Sequence, residues 1–159
     1  MNVAIVVAAG KGKRLGGERP KQFRELSGAP ILIHTLRQFE RCRRIEEVIT
    51  VLPAGETAGF ESLVRDFELT KSGQAIAGGT TRARSVRNGL NALVGAEIVA
   101  VHDGVRPLVT PEEIDRVVLA AQETGAAILT APVADTIKRV DADRIVETIR
   151  RDEIGRAHV

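Results

Sequence analysis

The sequence predicts an α/β domain built on a mostly parallel sheet with helices on both faces. Three observations carry this. Short apolar or β-branched runs alternate with amphipathic stretches along the chain. The runs are almost continuously apolar, as in strands covered from both sides, rather than alternating apolar with polar. The 159-residue chain is 43% hydrophobic, enough for one domain with a substantial core and too short for two independent ones.

The elements follow in order. Strands are expected at Val3 to Ala8, Val48 to Leu52, Gln74 to Ala77, Ile98 to Val101 and Ala127 to Ala131. Helices are expected between them, at Pro30 to Cys42, Thr57 to Phe67, Thr81 to Leu93 and Pro111 to Thr124. The last is the best marked. Thr110 stands at its N-cap, Pro111 at the first helical position, Glu113 completes a capping box, and Gly125 stops the helix. Beyond it, "APVADTIKRV" runs into polar "DADRIVETIRRDE", which reads as a hairpin arm projecting over about residues 133 to 153.

Composition narrows the function classes. No stretch approaches 18 consecutive apolar residues and no basic segment precedes the first apolar run, so neither a membrane span nor a signal peptide is expected, and the reading is cytoplasmic. The single cysteine, Cys42, excludes an internal disulfide and reads as a half-buried helix residue; no Cys/His cluster suggests zinc. The 23 Lys plus Arg nearly balance the 21 Asp plus Glu, but ten of the basic residues and only three of the acids fall in residues 1 to 44. That positive field suits an anion. With four Phe and no Tyr or Trp, base-stacking platforms are scarce, which favours a small polyanion over nucleic acid.

The field concentrates in "AAGKGKRLGGERPKQF", residues 8 to 23, directly after the first strand. Parallel α/β sheets bind ligands at the carboxyl ends of their strands, which places this loop in the crevice. It is not a Walker A loop, because no Lys-Ser or Lys-Thr follows a glycine at the required spacing. It is not a dinucleotide fingerprint either, because Gly10-x-Gly12-x-x reaches the bulky Leu15. What remains is a loop whose backbone N–H groups can approach phosphate at Gly10 and Gly12, with Lys11, Lys13, Arg14, Arg19 and Lys21 available to neutralise charge.

Three further segments join it: "GGTTRARSV", "VHDGVRP" and "APVADTIKR". Small residues in the first let a planar base lie against backbone, and the Ser85 hydroxyl with nearby carbonyls can read an exocyclic amino group. In the second, Asp103 ends a buried strand as a hard oxygen ligand should, and Arg106 offers bidentate hydrogen bonds to phosphate. His102, inside the apolar run, reads as a satisfied structural histidine.

Together and in this order, the four motifs resemble the 2-C-methyl-D-erythritol 4-phosphate cytidylyltransferase family. The resemblance implies a Rossmann-like nucleotidyltransferase domain with a projecting dimerisation arm, forming a homodimer at full length. It implies CTP and methylerythritol phosphate as substrates, Mg²⁺ as cofactor, and CDP-methylerythritol and pyrophosphate as products. It also implies Arg14 and Lys21 as the catalytic pair, and nucleotide contacts from Ala8, Ala9, Gly10, Gly12, Gly79, Arg82 and Ser85. Asp103 would hold the metal, while Arg106, Thr136 and Arg151 would bind the acceptor, the last two across the dimer interface; register favours Arg151 over Arg150. Thr80 stands where relatives often carry an acid, and Gly104 where they often carry Ala, a change expected to be tolerated.

Relatives also continue with a Thr-Pro-Gln segment, further helices and a late substrate-contacting lysine. Here "IGRAHV" follows Glu153 and resembles a translated sequencing adapter. The expectation is therefore an incomplete cytidylyltransferase domain over residues 1 to 153, a non-native tail at 154 to 159 with no role for His158, and an inactive chain. Two alternatives stay open: a cytidylyltransferase for ribitol 5-phosphate or another polyol phosphate, and a non-catalytic nucleotide-binding fragment.

Overall fold

A computed structural model describes residues 1–10 and 20–157. The chain opens with strand β1 (Asn2–Val7) and passes through a short ribbon, β2 (Glu25–Leu26) and β3 (Ala29–Pro30), into helix α1 (Ile31–Arg41). Then come β4 (Glu47–Leu52), α2 (Phe60–Asp66), β5 (Gln74–Ala77), α3 (Arg82–Asn91), β6 (Ile98–Asp103) and α4 (Pro111–Thr124). The remaining strands are β7 (Thr130–Pro132), β8 (Lys138–Asp141), β9 (Arg144–Thr148) and β10 (Gly155–Ala157).

Four strands form the central parallel sheet in the order β5-β4-β1-β6. Its register pairs Ile5 with Ile49 on one side and with Val101 on the other. Because side chains alternate across a strand, β1 feeds two layers. Ala4 and Val6 join Val48 and Leu52 in a cluster with Leu32, Leu36 and Phe39 of α1, Phe60 and Val64 of α2, and Ile114 and Val118 of α4. The opposite face takes α3, which packs on β1, β4 and β5. A Cβ on Gly89 would stand 2.6 Å from Ile5 Cγ2, so glycine permits this close approach.

The capping box on α4 forms as the sequence requires. Thr110 Oγ1 accepts from the Glu113 amide, the Glu113 carboxylate accepts from the Thr110 amide, and Gly125 ends the helix at φ 86°. Two boundaries differ from expectation. Residues 54–56 form a single 3₁₀ turn after Pro53, so α2 begins at Phe60 rather than Thr57. The strand expected at Ala127 to Ala131 is reduced to Thr130–Pro132 and stands outside the central sheet, paired antiparallel with β10. Strand geometry persists where a partner satisfies the backbone groups, and Thr130–Pro132 has one in Gly155–Ala157.

The arm is the expected hairpin. β8 and β9 pair antiparallel with a bulge between Arg139 and Val140, and a two-residue loop joins them. Both loop residues, Ala142 at φ 43° and Asp143 at φ 65°, are left-handed, the pattern of a primed hairpin turn. Cys42, expected half-buried, is in fact buried at the end of α1, and desolvation pushes its thiol above the ordinary range.

Candidate active site

The chain moves from β1 to β4 to β5 on one side of the sheet, then returns to place β6 on the other side of β1. Strand order reverses between β1 and β6, and a crevice opens there beyond the carboxyl ends. A cleft of about 750 Å³ occupies this position. It is lined by Ala8, Ala9 and Gly10 after β1, by Lys21 and Gln22, by Gly78 to Arg82 and Ser85, and by Asp103 at the end of β6 with Val105 beyond it.

The ends of the four sheet strands are fastened to one another by backbone bonds. The Ala8 amide donates to the Val51 carbonyl, Gly78 to Leu52 and Gly104 to Val7, each at 2.8 Å. The β5–α3 turn presses on the β1 loop so closely that a Cβ on Gly78 would stand 2.3 Å from the Ala9 Cβ. One on Gly79 would stand 2.4 Å from the Arg84 Cβ. Glycine is required at both by space, which leaves exposed backbone facing the cleft. Of the two candidate caps, Thr81 takes the role, its hydroxyl accepting from the Arg84 amide.

Ser85 lies buried beneath this turn. Its Oγ–H donates to the Thr81 carbonyl at 3.0 Å, and the oxygen accepts from the Gly79 amide at 3.1 Å. A hydroxyl has one proton and two lone pairs, so the remaining capacity is acceptance alone.

Asp103 sits between two guanidiniums: Arg82 Nε donates to one oxygen at 3.0 Å and Arg106 Nε to the other at 3.2 Å. Both arginines are about half exposed, so each pair is weak in itself and open to exchange with an incoming anion. Behind them, His102 is buried with its Nε2 3.1 Å from the Arg106 carbonyl and its ring 5.3 Å from that of Phe39. Burial lowers its pKa from the ordinary 6.5, and the Arg106 and Arg82 charges act in the same direction, against the opposing hydrogen bond to the Arg106 carbonyl and the Asp103 charge.

The structure brings Lys21, Ala8, Ala9, Gly10, Gly79, Arg82, Ser85 and Asp103 to one cleft, with Arg106 joined to it through Asp103. Arg14 and Gly12, with Lys11, Lys13 and Arg19, lie outside the described residues. Thr136 and Arg151 come together on the arm, where Arg151 Nη2 donates to Thr136 Oγ1 at 3.4 Å, but neither lines the chain's own cleft. The neighbouring Arg150 is engaged by Asp152 and Glu153, so Arg151 is the one beside Thr136. At Gly104 a Cβ would meet the Ala8 Cβ at 2.8 Å and Leu32 Cδ1 at 3.0 Å, so glycine sits where a larger side chain would make these neighbours move.

Two contributors were not singled out from sequence. Gln22 is buried and donates from Nε2 to the Ala8 carbonyl at 2.7 Å, tying the turn that carries Lys21 to the end of β1. Thr35 is buried in α1 and donates from Oγ1 to the Gly104 carbonyl at 3.0 Å. The available signal was a polar residue on the apolar stripe Leu32, Leu36 and Phe39.

A Rossmann-like sheet with an anion-suited, glycine-walled cleft at its switch point defines a nucleotidyltransferase-type domain. Comparison with known proteins agrees. The family model for IspD, 2-C-methyl-D-erythritol 4-phosphate cytidylyltransferase, matches residues 2–159, and the chain belongs to that family. It is 41% identical over 152 residues to the 2-C-methyl-D-erythritol 4-phosphate cytidylyltransferase of Bacillus velezensis, covering 96% of this chain and 66% of the relative. It is 45% identical over 153 residues to that of Alkaliphilus metalliredigens, covering 94% and 64%. The crystal structure of 4-diphosphocytidyl-2C-methyl-D-erythritol synthase from Anaerococcus prevotii superposes with a TM-score of 0.86 at 28% identity, covering 99% of this chain and 68% of that one. The chain thus spans about two thirds of the length of these relatives. Among the described residues no helix is long and apolar enough to cross a membrane.

Proposed function

We propose that the cleft binds CTP and that the protein transfers its CMP unit to 2-C-methyl-D-erythritol 4-phosphate, releasing pyrophosphate, as a cytoplasmic homodimer that binds neither nucleic acid nor membrane. The observation that carries this reading is Ser85. With its proton committed to Thr81, its oxygen can only accept, which suits the amino group of cytosine and disfavours the carbonyl that uracil carries at the same position.

In the transfer, an oxygen of the acceptor phosphate attacks the α-phosphorus in line, forming a new P–O bond as the bond to the leaving pyrophosphate breaks. Lys21, held at the cleft wall by its neighbour Gln22, is the described cation placed to absorb the charge growing on the leaving group, with Arg14 as its proposed partner. Arg82 and Arg106 exchange Asp103 for phosphate oxygens of nucleotide and acceptor. Thr136 and Arg151 complete the acceptor site of the partner subunit, consistent with their position away from their own cleft.

Magnesium fits the donor set. Among the described residues Asp103 is the one carboxylate on the cleft wall and no group of three His, Cys, Asp or Glu gathers, and each Asp103 oxygen keeps a lone pair beyond its arginine bond. That suits a cation that draws most of its ligands from phosphate and water. Held by Asp103, magnesium would supply positive charge to offset that of the bound phosphates.

The test is pyrophosphate release with CTP or UTP, and with methylerythritol phosphate or ribitol 5-phosphate. It is run on the 159-residue chain and on a version carrying a relative's C-terminal segment. The shorter chain is proposed to bind CTP without efficient transfer, and the longer to consume CTP with methylerythritol phosphate. Preference for ribitol 5-phosphate or UTP, or no CTP binding by either, would overturn the reading. Lys21→Ala in the active form should slow transfer by ~10²-fold while changing CTP affinity less.

A further inference from the structure

We infer that His102 and Thr35 form a buried clamp that positions the Asp103–Arg106 turn, setting the phosphate- and cation-facing side of the cleft from the α1 face of the sheet. The inference rests on the functional reading of that cleft. Asp103 and Arg106 themselves are poor at fixing their own places: the arginine is about half exposed, and a solvent-facing ion pair holds geometry weakly.

The backbone beneath them is tied at four points. The Gly104 amide donates to Val7 at 2.8 Å and the Arg106 amide to Asp103 at 3.1 Å. Thr35 Oγ1 donates to the Gly104 carbonyl at 3.0 Å, and His102 Nε2 meets the Arg106 carbonyl at 3.1 Å. A carbonyl only accepts, so this last bond requires the proton on Nε2. The imidazole is wedged against the Phe39 ring, tilted at 60°, and Phe39 itself is buried. The tight seat of Gly104 against Ala8 and Leu32 removes the remaining slack. Two buried side chains, one from the strand and one from α1, thus hold the two carbonyls of a turn whose side chains work on the other side.

The experiment pairs disruptive with conservative variants. His102→Leu and Thr35→Val each delete a clamp donor, whereas His102→Gln and Thr35→Ser each keep one. Each protein is melted to confirm folding, then titrated with CTP, with and without Mg²⁺. The His102 tautomer in the parent chain is read by nitrogen-15 NMR. The clamp requires the Nε2–H tautomer. It also requires that His102→Leu and Thr35→Val raise the Mg²⁺ concentration for half-maximal CTP binding by ~10-fold, as removal of groups supporting a metal ligand does elsewhere. CTP affinity without Mg²⁺ should stay within about 2-fold of the parent, and the Gln and Ser variants should recover the Mg²⁺ response to within about 2-fold. An Nδ1–H tautomer overturns the inference, as do Mg²⁺ titrations that superimpose on the parent's, or Gln and Ser variants as impaired as Leu and Val at equal melting temperature. If His102→Leu does not fold, the Thr35 pair decides. A parent chain that binds no CTP would instead overturn the reading of the cleft, and the tautomer would still report on the clamp.

Discussion

The sheet with its cleft and the arm beyond α4 are built on different physical terms. Around β1, β4 and their helices, Ile5, Leu32, Leu36, Ile49 and Phe39 are essentially sealed from solvent, and the groups that shape the cleft hang from that core. On the arm, Val140, Ile145 and Val146 are each more than half exposed. The hairpin is held by its own ladder and by pairs such as Arg139 with Glu147. One region is positioned by packing within the chain. The other presents apolar side chains and the Thr136–Arg151 pair to whatever lies beside it. The side chains lining the cleft are therefore positioned by packing within this fold, whereas Thr136 and Arg151 sit on an arm that the core does not seal.

That contrast breaks most directly at Phe39. Phe39→Ala removes a ring that touches both the core and His102, and should cost about 3–5 kcal/mol in a denaturant melt. A loss below about 1 kcal/mol would mean that the core does not carry the cleft. Gly78→Ala is next, at about 1–3 kcal/mol, because the added methyl overlaps Ala9 and neither group can swing aside. CTP affinity should fall with it, and unchanged affinity would show that the β5–α3 turn can shift freely.

A smaller effect separates the regions by pH. His102 has a folded pKa below its ordinary 6.5, so the unfolded chain binds more protons in that window. Its contribution to stability is therefore complete above about 6.5 and is lost as pH falls through the folded value. Melts of the parent between pH 7 and 5 should show a decline that His102→Gln flattens. Glu40 also titrates below its ordinary value. Burial opposes its ionisation, but bonds from the Thr70 hydroxyl and from the Lys71 and Thr70 amides outweigh that, so its contribution disappears only as pH drops below about 4.5. The smallest effect belongs to the arm: Ile145→Ser should change the melt by no more than about 0.5 kcal/mol while weakening self-association measured by sedimentation. A large loss of stability there would show that the arm packs on its own domain.

Much of this was legible in the residues. Local signals are short-range, so the α4 capping box and Gly125 stop could be read directly, and apolar runs located β1, β4, β5 and β6 to within about two residues. The motif loops singled out Lys21, Gly79, Arg82, Ser85 and Asp103, and the fold gathers all five at one cleft beyond the strand ends. Tertiary structure alone decided the rest. Whether residues 127–131 would act as a strand depended on which backbone lay alongside, and periodicity holds no record of a partner. The tightness at Gly104 depends on Ala8 and Leu32, distant in sequence and adjacent only after folding. Gln22 and Thr35 look like ordinary polar residues until burial removes water and obliges each to find a carbonyl, and it is that obligation, absent from the linear chain, that turns them into supports of the cleft.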